Sequence, residues 1–213
     1  HRLALVGCGG MGRRHLRGYR VLLDFEPDRL EVSAVVDPEL ERAEFVAGEA
    51  EELFGARPSV YRSLEDAISG TSDLSVVDIV TAAAAHHSIA VQAASAGLHA
   101  LCEKPMAPTV AACRLMQVAA QQYGTVLSVA ENYRRDPISR LASELLSSGA
   151  IGDIRTVLDL TSGGGRGASA GGWQYLRRQG GAILESGIHN ADMQIYLAGP
   201  VKTVTGQVRL TEP

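Results

Sequence analysis

Leu3-Ala4-Leu5-Val6-Gly7-Cys8-Gly9-Gly10-Met11-Gly12 is the stretch on which the fold turns. Four apolar residues run into a glycine cluster, and Arg13 to Leu23 follows with the spacing of a helix. Strand, tight turn and helix in that order are the setting in which Gly-x-Gly-x-x-Gly binds a dinucleotide. Gly7 permits the turn, Gly9 lets backbone approach a pyrophosphate, and Gly12 lets the helix pack on the strand. The N–H groups of the helix start, at Gly10 and Met11, then face the anion.

A second strand ends at Val36, and Asp37 follows, 25 residues beyond Gly12. An acid near that distance meets the ribose hydroxyls. An ionised Asp there repels a 2′-phosphate, so NAD is expected in preference to NADP. The other reading of Asp37-Pro38 is a plain turn.

The 213 residues allow one large domain or two small ones, and an apolar content of 46% can build a core. A net charge of −4 gives no footprint for nucleic acid or an anionic membrane. Cys8, Cys102 and Cys113 form no Cys-x-x-Cys and no disulfide framework, so they read as small hydrophobes in a reducing, cytoplasmic setting. No metal-ligand spacing stands out. Ile79 to Cys102 carries no Asp, Glu, Lys or Arg, but His86, His87, Gln92, Ser95, Gly97 and His99 interrupt it. It reads as strand, helix and strand rather than a membrane span. No signal peptide is visible, and His1 in place of Met predicts that residues precede it.

Alternating patterns predict a doubly wound α/β fold with a parallel sheet. Strands are expected at 2–6, 31–36, 76–81, 98–102 and 126–132, and helices near 11–23, 39–53, 86–96 and 109–123, with a short one opening at Ser63. Residues 1–134 are expected to form the dinucleotide-binding domain and 135–213 part of a second domain. That second part reads as a helix to about Ser148, a strand at 154–161, a Gly-rich loop from Ser162 to Gly172, the segment Gly180 to Asp192 and a strand from Val201 to Leu210.

The chain has two lysines against eighteen arginines, and one of the two is Lys104 in Cys102-Glu103-Lys104-Pro105. Arg keeps its proton in a protein, whereas a desolvated ammonium can be tuned to give one up, so this position reads as proton-transfer chemistry. A solvated surface lysine is the plainer reading. Glu185, His189 and Asp192 recur at i, i+4 and i+7, which aligns them on one face if a helix starts early enough. A titratable imidazole between carboxylates suits a proton relay.

Taken together, the Gly-Gly-Met-Gly fingerprint, Glu103-Lys104-Pro105 and the Gly-Gly…Glu185-x-Gly-x-His189-x-x-Asp192 segment resemble the Gfo/Idh/MocA family of NAD(P)-dependent sugar and cyclitol oxidoreductases. The resemblance implies a Rossmann domain joined to an α/β domain with an open, mostly antiparallel sheet. It implies Lys104 and His189 as catalytic groups, with Glu185 where the family usually has an active-site Asp. It places Glu103 near the nicotinamide ribose and Thr81 and His86 beside the cofactor, although Ala82 stands where the family has Pro. Tyr133, Arg134, Trp173 and Asp192 are assigned to a polyhydroxylated small-molecule substrate.

Family members continue well beyond this length, so the chain reads as a fragment, and a homo-oligomer is expected of the full-length form. Two other functions fit the same residues: an NAD-dependent glycosidase that oxidises and re-reduces one sugar, and a protein that binds NAD without catalysis.

Overall fold

Arg2–Val6 forms β1, the strand from which the rest of the sheet is built outward. Its alternate side chains serve two cores. Leu3 and Leu5 pack with Leu16, Val46 and Ala47, while Ala4 and Val6 join Ile79, Ala90, Ala93 and Met116. A strand covered on both faces is apolar where it is buried, as Leu3 to Val6 are, with Arg2 at the half-buried start. Each fully buried Leu, Ile or Val contributes roughly 1.5–3 kcal/mol.

The structure, a computed structural model, describes residues 1–161 and 181–207. Its parallel sheet runs β3-β2-β1-β4-β5-β6, with β2 at Glu31–Val36, β3 at Ser59–Tyr61, β4 at Leu74–Ile79, β5 at His99–Cys102 and β6 at Leu127–Val129. The strand order reverses direction between β1 and β4, which opens a crevice at their carboxyl ends. The helices of this part are α1 (Gly10–Phe25), α2 (Leu40–Phe54), α3 (Leu64–Gly70), α4 (Ala83–Ser95) and α5 (Val110–Tyr123). Ser63 caps α3 by accepting from the Asp66 N–H at 3.1 Å, and Thr109 caps α5 through the Ala112 N–H at 3.2 Å.

These elements lie within a few residues of the expected ones. β3 was not expected, because three residues are too few for alternation to register. The uncharged Ile79–Cys102 stretch resolves into the end of β4, α4 and β5.

The chain divides into two compact units. One comprises His1–Ala130 and the start of the last helix through Glu185; the other runs from Glu131 and takes up that helix again at Ser186. The second unit holds a 3-10 turn at Tyr133–Arg135 and α6 at Pro137–Ser147, whose Asp136 cap accepts from the Ile138 N–H at 3.0 Å. The last helix, α7, spans Gly181–Ala198.

Residues 154–161 are not the expected strand. They join no ladder, Leu158 and Leu160 are exposed, and Asp159 and Thr161 instead accept from the Asn190 amide at 2.7 and 2.8 Å. Apolar alternation makes a strand only where a neighbouring strand supplies hydrogen-bond partners and cover, and no strand of the described residues does so here. Residues 201–207 form no strand either. An antiparallel sheet is therefore absent among the described residues. The Gly-rich loop 162–172, Trp173, Gly180 and positions 208–210 lie outside the described residues.

Candidate active site

The glycine turn has the geometry its spacing predicts. Gly7 adopts φ +108°, and a Cβ there would collide with the Val80 carbonyl at the end of β4. A Cβ on Gly12 would collide with the Gly7 carbonyl, so α1 can pack this closely on β1 only with glycine there. At Gly9 a Cβ meets nothing within 4 Å, and Gly9 lines a cleft of about 620 Å³. The same cleft is lined by Gly7, Asp37, Arg42, Arg62, Thr81 and Gln92, among others. No side chain caps α1, so its first N–H groups are available to an anion. An open cleft at Gly9, an uncapped helix start and an acid at the end of β2 fit a dinucleotide.

Asp37 is buried and anchored. Its carboxylate accepts the Cys8 N–H at 3.0 Å and the Glu39 N–H at 2.9 Å. A carboxylate has about four acceptor sites, so capacity for ribose hydroxyls is left. Arg42, paired with Glu39 at 3.0 Å, and Arg62, donating to the Pro38 carbonyl at 3.0 Å, flank it. The sequence reading missed both arginines, because charge on a helix or loop looks solvated until the chain folds. Cys8 and Cys102 are buried, and burial pushes both thiols up to about 12, as inert small hydrophobes require.

Lys104 lies just beyond β5 in a cis Lys104–Pro105 linkage. Its ammonium donates to Glu185 twice, to the carboxylate at 2.8 Å and to the backbone carbonyl at 3.0 Å. The pair is mostly shielded, with side-chain exposures of 15% and 24%. This lysine is not the solvated surface group of the plainer reading.

One cofactor assignment needs correction. His86 is 1% exposed and does not line the cleft; its ring nitrogens lie 3.0 Å from the Pro105 carbonyl and 3.1 Å from the Thr81 carbonyl. Burial, outweighing those carbonyls, lowers its pKa. It ties the Thr81 loop to the turn after Lys104 and does not face the cleft. Glu103 is buried as well, one oxygen 3.1 Å from His15 Nε2 and the other accepting the Lys104 N–H at 2.8 Å; like Asp37 it keeps acceptor capacity beyond these contacts. Burial raises its pKa, but His15 outweighs it and the net shift is downward. Gly10, Met11 and Gly12 form the first turn of α1; Gly10 and Met11 are exposed and Gly12 is buried.

In the second unit, His189 Nδ1 lies 2.7 and 2.9 Å from the two carboxylate oxygens of Glu131. Tyr133 stacks on the imidazole at 4.1 Å between centroids and 8° between planes, and its N–H donates to Glu131 at 3.0 Å. A carboxylate can only accept, so Nδ1 carries the proton and Nε2 is left for chemistry. The carboxylate beside His189 is thus Glu131, not Glu185 or Asp192 as the helical spacing implied. Arg134 and Asp192 form a bidentate pair at 2.7 and 2.5 Å, with the guanidinium 5.2 Å from the Tyr196 ring. Asp192 raises the Arg134 pKa. The spacing rule placed three residues on a face correctly but could not say what stands opposite each.

Sequence reasoning also missed a buried cluster on the sheet. His15 Nδ1 lies 2.8 Å from Asp78 Oδ2, and the Tyr19 hydroxyl donates to that same oxygen at 2.6 Å. Burial lowers the His15 pKa, but Asp78 and Glu103 together outweigh it and raise it to about 10. Burial and Asp78 raise Tyr19. The signal available in sequence was Asp78 itself, the one charge in β4 and set between Val77 and Ile79.

Comparison with known proteins agrees with this geometry. A family model described as an oxidoreductase family with an NAD-binding Rossmann fold matches residues 1–131, and one for the GFO/IDH/MocA C-terminal domain matches 139–213. A D-apiose dehydrogenase of Paraburkholderia graminis is 35% identical over 206 residues, 93% of this chain and 50% of that protein. A levoglucosan dehydrogenase of Pseudarthrobacter phenanthrenivorans is 35% identical over 214 residues, 95% and 52% of the two chains. A solved levoglucosan dehydrogenase in complex with NADH and levoglucosan superposes with a TM-score of 0.76 at 31% identity, covering 93% of this chain and 54% of that one. The chain spans about half the length of the curated relatives it matches. No described helix is long and apolar enough to cross a membrane.

Proposed function

The chain belongs to the GFO/IDH/MocA oxidoreductase family, whose N-terminal domain is an NAD-binding Rossmann fold, and on that premise we propose that it oxidises a secondary alcohol of a sugar, a cyclitol or a derivative with NAD. The observation that carries the proposal is Lys104, a shielded ammonium just beyond β5 with Glu185 as its counter-ion, in the unit that also holds the glycine turn. Two 35%-identical relatives, named as dehydrogenases of apiose and levoglucosan, support the substrate class.

Bound NAD would supply the hydride acceptor. Gly7 and Gly9 and the start of α1 would take the pyrophosphate, and Asp37 the ribose hydroxyls. Once its ammonium has given a proton to solvent, Lys104 Nζ would take the hydroxyl proton of the substrate, and Glu185 would be the counter-ion of the ammonium so re-formed. His189, its Nδ1 fixed by Glu131, keeps Nε2 as a second proton carrier. Tyr133 holds that ring in plane. Arg134 and Asp192, already locked to each other, shape the substrate region as a pair. The match of residues 139–213 to the C-terminal domain model supports a second α/β domain with an open sheet.

The test is a panel of sugars and inositols given to protein expressed from the full reading frame, with NADH followed by absorbance. Stoichiometric NADH and a ketone product are expected. Sugar cleaved with no net NADH would replace the dehydrogenase by a redox-assisted glycosidase, and NAD binding with no product of either kind would remove the enzyme altogether.

A further inference from the structure

We propose that His15 is a positioning residue for this reaction: held at both ring nitrogens as an imidazolium, it locks the Glu103 carboxylate, and through it the backbone at Lys104, to the helix that begins at the phosphate turn. The role in turnover rests on the dehydrogenase reading; the bridge itself does not.

The geometry is a continuous chain of contacts. α1 starts at Gly10, and His15 lies in its second turn, beside the fully buried Leu16. Nδ1 meets Asp78 on β4 at 2.8 Å and Nε2 meets Glu103, just past β5, at 3.1 Å. Two carboxylates can only accept, so both nitrogens donate and the ring carries charge. The other Glu103 oxygen takes the Lys104 N–H at 2.8 Å. The groups facing the ring are Asp78, Glu103 and, on its own helix, Tyr19, edge-on at 6.4 Å between centroids. Asp78 Oδ1 is buried with no hydrogen-bond partner among the described residues, so that carboxylate depends on His15 and Tyr19 at its other oxygen. His15 thus ties the helix that would hold the pyrophosphate to the turn that carries the proton-transfer amine. A displacement of about 1 Å in such a group costs on the order of 10²-fold in rate.

His15→Gln keeps a donor and removes the charge. In protein from the full reading frame it should lower kcat per folded molecule by roughly tenfold or more while NAD Kd stays within about threefold, because the glycine turn is untouched. Unchanged kcat, or a loss of kcat that only follows loss of NAD binding, overturns the proposal. Should the variant fail to fold, nitrogen-15 spectra of the parent ring decide: both nitrogens should read as protonated at about pH 8. A neutral ring there overturns the bridge. A parent that binds NAD but turns over nothing removes the dehydrogenase reading and His15's part in it, while a protonated ring leaves the bridge in place as an element of the fold.

Discussion

Stability should fall with rising pH through His15, by an amount the buried cluster sets. The imidazole rises from its ordinary 6.5 to about 10 on folding, once Asp78 and Glu103 have outweighed burial. A gap of that size corresponds to something on the order of 5 kcal/mol at ~1.36 kcal/mol per unit. The folded pKa is the higher one, so the contribution is complete below the unfolded value and is lost as pH climbs toward the folded value. About 2 kcal/mol should be gone by about pH 8 and most of the rest by about pH 10. Glu103 shifts the other way, so its own contribution is lost only in acid, outside this window. Urea unfolding of the parent and of His15→Gln near pH 6, 8 and 10, extrapolated to water, isolates the effect as the difference between the two proteins. That difference should shrink steadily as pH rises. A difference that is constant across the range would refute a charged His15.

Three further outcomes follow from other parts of the site. Gly9→Val should abolish NADH binding, read by fluorescence, while the protein stays folded, since its Cβ meets nothing within 4 Å; Gly12→Val should instead destabilise by ~1–3 kcal/mol or more, because its Cβ meets the Gly7 carbonyl. Asp37→Ser should narrow the preference for NAD over NADP, with Arg42 and Arg62 left to receive a 2′-phosphate; equal affinities in the parent would remove the basis for that preference. Glu131→Gln should cut kcat by on the order of 10² or more with little change in NAD affinity, because an amide no longer fixes the His189 tautomer by accepting at both oxygens; turnover within a few-fold of the parent would take Glu131 out of the account.

The first unit was legible because its rules are local. A strand buried on both faces is apolar where it is buried, as Leu3 to Val6 are, and a turn with φ +108° under a neighbouring carbonyl admits glycine alone, so β1 and Gly7 announce themselves. Lys104 stood out because the chain otherwise uses arginine. What stayed hidden was pairing across distance. His15 and Asp78 are 63 positions apart and Glu131 and His189 are 58 apart, and no periodicity links them. His86 misled for the same reason: its place next to a cofactor loop in sequence did not reveal that its ring turns inward to two carbonyls. At 154–161 the alternation was real, but a strand also needs a neighbour, and sequence alone does not supply one.

Turnover of Lys104→Met, in protein from the full reading frame with a substrate that yields NADH, tests the central claim most directly. Methionine keeps much of the apolar stem and removes the exchangeable proton and the charge facing Glu185. The account predicts a loss in kcat on the order of 10² to 10⁴-fold, larger than any weakening of NAD binding. A variant that turns over within a few-fold of the parent would contradict it, leaving Lys104 as a structural partner of Glu185 and the proton to His189 alone.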